Sequence, residues 1–283
     1  IQCGNFKLDG GAMFGVVPKS LWERTNPADS KNLIELGTRS LLVEDGKKLI
    51  LIDCGLGNKQ DEKFFGHYSL YGDESLDKNL KKFGFVREDI TDVFLTHLHF
   101  DHCGGAIEWN DDKSGYRPAF KNAQFWTNEN HWQWATEPNP REKASFLKEN
   151  ILPMQESGQL QFLPTPKTGN YGFAPDLKMD VIFVDGHTEK QMLPVIQYQE
   201  KTIVFAADLI PTAGHIPQVY VMGYDTRPLL TMEEKGKFLK QCVENEYLLF
   251  FEHDAHHELA SLKMTEKGVK LDETFSFNEV FGY

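Results

Sequence analysis

Cysteine is scarce in this chain, with four thiols among 283 residues and no pair in a C-x-x-C arrangement. Small secreted domains held together by disulfides are much richer in cysteine, so free thiols in a reducing cytoplasm are expected. The alternative, a processed secretory form, stays open because the chain starts at Ile1 rather than at methionine.

Positive charge and long apolar runs are also lacking. The chain has 30 Lys and Arg residues against 42 Asp and Glu, a net charge of −12, so no nucleic-acid partner is expected. No apolar stretch approaches the roughly 20 residues that span a bilayer, so no membrane partner is expected either. What is present, 40% apolar and 25% charged residues, is typical of a globular protein with a substantial core.

The sequence contains no internal repeat, low-complexity tract or long flexible linker, so a single domain over residues 1–283 is expected. Residues 1–30 are expected to form an N-terminal arm or loop near a cleft, because residues 13–22 (MFGVVPKSLW) are apolar but interrupted by Pro18. This segment could cover a cleft, contact a second copy in a homodimer, or pack in the core, and the sequence leaves these alternatives open.

Short strands alternate with helices along the chain, which favours an α/β fold. A hairpin is predicted from residues 40–43 and 48–53 around the turn Asp45-Gly46. Further strands are predicted at residues 90–96 and 119–127 and in the runs VIFVDGH, LPVIQY, TIVFAAD and YLLFF. Helices are predicted over residues 75–83, 142–156 with a break at Pro153, and 232–245.

The strongest functional signal is the run THLHFDHCGG, in which three histidines and an aspartate fall within six residues at the end of an apolar strand. Imidazole nitrogens and carboxylate oxygens are ligands that zinc and similar divalent ions accept. In a tight turn, His97 and His99 can point one way while Asp101 and His102 point another, so one segment can serve two metal ions. The alternative, an exposed histidine-rich loop, is disfavoured because the pattern is long and specific.

Two metals need more ligands, and the rest of the chain supplies them. His187 follows VIFVDG, Asp208 follows TIVFAA, and His253 follows YLLFFE. Each of these residues alone would more often be a cap or a core-edge residue. Together with the first motif, they favour a metal site.

The order of these motifs resembles the metallo-β-lactamase superfamily, and the resemblance covers essentially the whole chain. It implies an α/β fold, the αβ/βα sandwich in which two mixed β-sheets are flanked by helices. It also implies two zinc ions, or other divalent transition metals, with His97, His99 and His187 on one ion and Asp101, His102 and His253 on the other. Asp208 would bridge the two ions, and Asp53 would orient a ligand, the alternative for Asp53 being a turn residue at a strand end.

The mechanism expected from such a site is hydrolysis. Two divalent ions about 3.5–4 Å apart can share a hydroxide that attacks a carbonyl or phosphoryl centre. Asp101 is the best-placed group to pass a proton to the leaving alkoxide.

Among hydrolases of this fold, the segments DLIPTAGHIP and MFGVVPKSLW resemble the N-acyl homoserine lactonases, which are quorum-quenching enzymes. A neutral lactone suits the acidic chain, and Met13, Phe14 and Trp22, with Val16 and Val17, are predicted to bind its acyl chain. Several such lactonases place a tyrosine three residues after the bridging aspartate, where this chain has Pro211. His215 is therefore the candidate for a catalytic and substrate-binding group, the alternative being a structural role.

Two other functions stay open at this point. A phosphotriester or aryl ester hydrolase of the methyl-parathion-hydrolase type would use the same seven ligands. A metal-binding scaffold protein without activity would have to account for a complete two-metal ligand set.

Overall fold

The computed structural model describes residues 1–44, 46–165, 171–174 and 179–282. Its strands, in chain order, are β1 (Gln2–Asp9), β2 (Leu33–Arg39), β3 (Leu41–Glu44), β4 (Leu49–Ile52), β5 (Asp92–Phe94), β6 (Ile107–Trp109), β7 (Tyr116–Pro118), β8 (Gln124–Asn128), β9 (Leu160–Leu163), β10 (Tyr171–Ala174), β11 (Met179–Val184), β12 (Gln191–Tyr198), β13 (Lys201–Phe205), β14 (Leu248–Phe250), β15 (Leu259–Thr265) and β16 (Gly268–Phe275). Its α-helices are α1 (Gly10–Phe14), α2 (Lys19–Trp22), α3 (Glu62–Gly66), α4 (Leu76–Lys82), α5 (Phe100–Cys103), α6 (Glu129–Thr136), α7 (Lys148–Glu156), α8 (Pro228–Glu244) and α9 (Phe277–Phe281).

The chain divides into two compact units. The first unit comprises Ile1–Phe6 and Gly37–Lys167, and the second comprises Lys7–Leu36 and Thr168–Tyr283. Within the part of the chain that the structure describes, no helix is both long and apolar enough to cross a membrane.

The first unit contains a mixed five-stranded sheet in the order β3-β4-β5-β8-β9. The predicted hairpin forms its edge as the antiparallel pair β3 and β4, although the turn residue Asp45 lies outside the described residues. From β4 onward the strands are parallel, with Ile52 opposite Phe94. Because parallel strands end at the same edge of a sheet, Asp53 and the segment that begins at Leu95 emerge side by side.

The second unit contains a mixed seven-stranded sheet in which β10 to β16 follow in chain order. All neighbouring strands are antiparallel except β13 and β14, which helix α8 connects and whose Phe205 and Phe250 lie opposite each other. Strands β11 and β13 both run antiparallel to β12, so β11, β13 and β14 end at one edge of this sheet. The polar residues that follow these three strands are thereby placed at that edge.

Most of the predicted elements are confirmed, and the expectation of a mixed α/β fold is confirmed with them. One prediction was wrong: Pro153 lies inside α7 rather than breaking it, and residues 142–147 precede the helix as turns. The predicted strand at residues 119–127 begins only at Gln124. The apolar segment at residues 13–22 contributes to two short helices, α1 and α2.

Candidate metal centre

The histidine motif of the first unit begins three residues after the end of β5 and continues into α5. His97 and His99 are buried, and His97 Nε2 lies 3.0 Å from His99 Nδ1. The two nitrogens therefore converge on one point, as two ligands of a single metal ion would.

Asp101 and His102 form a second pair in the same motif. Asp101 Oδ1 lies 3.9 Å from His102 Nε2, and the Asp101 side chain keeps 14% of its surface exposed. The other ring nitrogen, His102 Nδ1, lies 3.0 Å from Asp53 Oδ2. Asp53 is fixed in turn because it accepts hydrogen bonds from the Thr96 amide at 2.8 Å and the Thr96 hydroxyl at 2.6 Å. A carboxylate on Nδ1 leaves Nε2 for a metal, which supports the orienting role predicted for Asp53.

Gly104 and Gly105 allow the motif to pack against the chain that follows β4. A Cβ atom on Gly104 would lie 2.1 Å from the Leu56 carbonyl oxygen, and one on Gly105 would lie 2.1 Å from the Cys54 carbonyl oxygen. The close approach permits hydrogen bonds from the Cys54 amide to the His102 carbonyl at 2.8 Å and from the Gly105 amide to the Gly55 carbonyl at 2.9 Å. Glycine is needed at both positions because any side chain would separate these segments.

The second unit brings its three predicted ligands together around Asp208. His187, Asp208 and His253 each lie three residues after the end of their strand, β11, β13 and β14 respectively. Asp208 Oδ2 lies 3.2 Å from His187 Nε2, and Asp208 Oδ1 lies 3.2 Å from His253 Nε2. The two oxygens of one carboxylate therefore face two different histidines.

His187 has a second carboxylate on its other nitrogen, since His187 Nδ1 lies 2.9 Å from Asp225 Oδ1. Burial alone lowers the pKa of His187, but Asp208 and Asp225 outweigh it and raise this pKa to about 10. In the metal-free protein the two carboxylates thus hold a proton on His187. A divalent cation bound at His187 Nε2 would replace this proton and supply the positive charge that the two carboxylates attract.

The metallo-β-lactamase superfamily model matches residues 33–241. The chain belongs to this superfamily. It is accordingly a hydrolase of the metallo-β-lactamase fold, as the sequence motifs predict.

The similarity to individual relatives covers most of this chain and most of each relative. An N-acyl homoserine lactonase of Bacillus cereus is 23% identical over 240 residues, which cover 80% of this chain and 85% of the relative. A probable metal-dependent hydrolase from Staphylococcus aureus is 27% identical with a TM-score of 0.85, covering 96% of this chain and 93% of that one. The AidC dizinc quorum-quenching lactonase, solved with a product N-hexanoyl-L-homoserine, is 22% identical with a TM-score of 0.76, covering 97% and 93% of the two chains.

Several predicted residues of this superfamily member lie away from solvent. Met13, Phe14 and Trp22, predicted to bind an acyl chain, are each at most 2% exposed, and the rings of Phe14 and Trp22 stack at 5.3 Å. Val16, in contrast, is 97% exposed. The burial favours the core-packed alternative for this segment, and direct contact of the three residues with substrate stays a prediction.

His215 is similarly enclosed. Its Nδ1 lies 2.8 Å from Thr212 Oγ1, its Nε2 lies 2.9 Å from the Met13 carbonyl oxygen, and its ring stacks on Phe14 at 4.1 Å. The Met13 carbonyl can only accept, so Nε2 carries the proton and donates, while Nδ1 accepts from Thr212. These contacts favour the structural alternative, and the catalytic role of His215 stays a prediction.

Two carboxylates near the histidines were not assigned roles from the sequence. Asp225 lies in a turn after Met222, and Glu142 lies in the turns before α7. Neither follows an apolar strand, which was the signal that identified the other ligands. Cys103, interpreted as a small packed residue, is fully buried, and burial raises the pKa of its thiol to about 12.

Proposed function

We propose that this chain is a two-metal N-acyl homoserine lactonase that opens the lactone ring by hydrolysis. The ions would be zinc by resemblance to the family, and the seven predicted ligands would hold them. His97, His99 and His187 would hold one ion, Asp101, His102 and His253 would hold the other, and Asp208 would serve both.

The observation that carries the two-metal proposal is the position of the Asp208 carboxylate. Its two oxygens lie at the same distance, 3.2 Å, from the Nε2 atoms of His187 and His253. A carboxylate that binds a single ion needs only one oxygen near the histidines of that ion. A bridging carboxylate must present one oxygen to the histidine of each ion. The nitrogen and oxygen donors of both units also suit zinc or a similar divalent ion.

The lactone substrate is supported by the relatives and by charge. The Bacillus cereus relative is named an N-acyl homoserine lactonase, and the AidC structure contains a product, N-hexanoyl-L-homoserine. An acyl homoserine lactone is neutral, so the net charge of −12 does not repel it.

When bound, the two ions lower the pKa of a water molecule and polarise the lactone carbonyl. The water oxygen forms the new bond to the carbonyl carbon, and the ring C–O bond breaks. Asp101 transfers the proton of the water to the departing alkoxide oxygen. Its side chain is partly exposed, so it can reach a bound substrate. The products are the alcohol and the carboxylic acid of an N-acyl homoserine, and ionisation of the acid releases one proton.

Buried carboxylates hold two of the histidine ligands in position for this reaction. Asp53 fixes the ring of His102 through Nδ1, and Asp225 fixes the ring of His187 in the same way. Each partner also selects the tautomer whose Nε2 lone pair is available for a metal.

The test is a pH-stat titration of metal-analysed protein with acyl homoserine lactones of short and long chains. We expect stoichiometric acid release that chelation, Asp101→Asn and Asp208→Asn each abolish. Matched controls are Asp111→Asn and Asp272→Asn, which remove surface carboxylates paired with Arg117 and Lys263, and both should retain full activity.

The same preparation is assayed in parallel with an aryl phosphotriester. Turnover of the phosphotriester without acid release from any lactone would replace the proposed substrate while keeping the two-metal site. Protein that binds fewer than two ions per chain would refute the bridging role of Asp208.

A further inference from the structure

The segment from α6 to the start of α7 contacts three consecutive residues of the histidine motif. The Leu98 amide donates to His131 Nε2 at 2.8 Å, and the Phe100 amide donates to the Ser145 carbonyl at 3.0 Å. His99 lies between these two anchored amides. The backbone on both sides of this predicted ligand is therefore fixed by one neighbouring segment.

The same segment places a carboxylate against the side chain of His99. Glu142 is only 3% exposed, and its Oε1 lies 3.4 Å from His99 Nε2. The other oxygen, Glu142 Oε2, accepts hydrogen bonds from Trp134 Nε1 at 2.7 Å and Asn139 Nδ2 at 2.6 Å. Two donors thus hold the carboxylate so that its remaining oxygen points at the imidazole.

The two nitrogens of His99 consequently face different partners. Nδ1 lies 3.0 Å from His97 Nε2, on the side where the two histidines converge, and Nε2 faces Glu142. A neutral imidazole carries a proton on only one nitrogen, and a carboxylate attracts that proton to its own side. The lone pair of Nδ1 is then available for a metal ion.

We propose that Glu142 is a positioning residue that fixes the Nε2-protonated tautomer of His99 when a metal is bound, and thereby sets the metal affinity of the first unit. The proposal rests on the metal-binding function proposed above. Glu142 touches neither substrate nor metal in this role, and it acts only through His99.

The substitution Glu142→Gln tests the tautomer directly because it keeps the shape of the side chain. Trp134 Nε1 can only donate, and Asn139 Oδ1 already accepts from the Arg141 and Glu142 amides, so its NH₂ group stays on this position. The amide oxygen of glutamine must therefore face these two donors. The amide NH₂ group then faces His99 Nε2, which must become an acceptor. This moves the ring proton to Nδ1 and blocks the nitrogen that should bind the metal.

Asp92→Asn is the matched control. Asp92 is also a buried carboxylate of the first unit, at 4% exposure, and its Oδ1 accepts a hydrogen bond from an indole, Trp126 Nε1, at 2.7 Å. Its other partners are Lys48 and Thr91 rather than a histidine of the motif. The control therefore removes an equivalent buried charge without changing the tautomer of His99.

Zinc affinity is measured by chelator competition on the wild type and both variants. We expect Glu142→Gln to bind zinc about 10–100-fold more weakly than the wild type, as is typical when a partner of a metal-bound histidine is lost. Asp92→Asn should stay within about twofold of the wild type, because its contacts lie away from His99. Affinity of Glu142→Gln within the same twofold range would overturn the proposal.

A second measurement needs no variant. The ¹⁵N chemical shifts of His99 in zinc-loaded wild-type protein identify the ring nitrogen that carries the proton. A proton on Nε2 is expected, and a proton on Nδ1 would overturn the proposal even if Glu142→Gln does not fold. Wild-type protein that binds no zinc would refute the proposed function instead.

Discussion

Replacing Gly105 by alanine tests whether the close packing under the histidine motif is required for folding and for metal binding. The new Cβ atom would lie 2.1 Å from the Cys54 carbonyl oxygen, whereas real Cβ contacts essentially never fall below 3.0 Å. The two segments must therefore separate by about 0.9 Å, the difference between these two distances. Both contacting atoms are backbone or directly attached to it, so no side-chain rotation can relieve the contact.

The magnitude follows from two effects. Overpacking a buried site costs about 1–3 kcal/mol of unfolding free energy. Separation also weakens the hydrogen bond from the Gly105 amide to the Gly55 carbonyl, now 2.9 Å long, which contributes about 1 kcal/mol. A total loss of about 2–4 kcal/mol corresponds to a fall in Tm of about 5–15 °C for a chain of this size.

The assay is thermal unfolding of the metal-free protein followed by zinc titration. Zinc affinity should fall as well, because the same displacement strains the hydrogen bond between the Cys54 amide and the His102 carbonyl. Gly66→Ala is the matched control, since its Cβ would meet nothing within 4 Å, and its Tm should equal or slightly exceed that of the wild type. If Gly105→Ala and Gly66→Ala melt within about 2 °C of each other, less than the shift expected from 1 kcal/mol, the packing argument fails.

Three further predictions concern the second unit. Phe14→Ala should cost about 3–5 kcal/mol in stability, measured by urea unfolding, because its buried ring stacks on His215. It should reduce kcat/KM equally for short and long acyl chains, and a selective loss on long chains would instead support a substrate-binding role for Phe14. Lys235→Met should lower the unfolding free energy by about 1–3 kcal/mol, since Lys235 Nζ donates to the carbonyls of His215 at 2.7 Å and Tyr220 at 2.6 Å; an unchanged urea midpoint would contradict this. Burial lowers the pKa of His215 from 6.5 to about 3, so the unfolded chain binds the proton first and stability falls as the pH drops through this window. His215→Gln should remove this contribution of up to about 1.4 kcal/mol per pH unit, and parallel pH profiles of the two proteins would count against it.

Four of the seven proposed metal ligands were predictable from the sequence because they follow a simple local rule. His97, His187, Asp208 and His253 each lie three residues after the last residue of an apolar strand. Within one sheet, parallel strands, or strands separated by one antiparallel neighbour, end at a common edge, so His187, Asp208 and His253 converge without any further information. A run of apolar residues that stops at a metal-ligand type is visible in one sequence.

The burial of residues 13–22 could not be predicted in the same way. An apolar segment interrupted by proline has the same composition whether it lines a groove or packs in a core. The difference arises from the partners of the segment, because Phe14 stacks on Trp22 and His215. His215 lies about 200 residues further along the chain, so no local pattern in the sequence reveals this contact. Pro153 was misread for a related reason, since local propensity disfavours proline inside a helix but the packing of α7 tolerates it.

The buried carboxylates beside the histidines show where local sequence rules stop being informative. Three of the proposed ligand histidines have a ring nitrogen facing a buried carboxylate that is not itself a proposed ligand. The pairs are His102 with Asp53, His187 with Asp225, and His99 with Glu142. Only Asp53 follows directly on an apolar strand, and only Asp53 was assigned an orienting role from the sequence. The other two come from turns, and their function depends on where the folded chain carries those turns. Burying several carboxylates is costly unless opposite charge compensates them, and this cost supports the proposal that divalent cations bind beside these histidines.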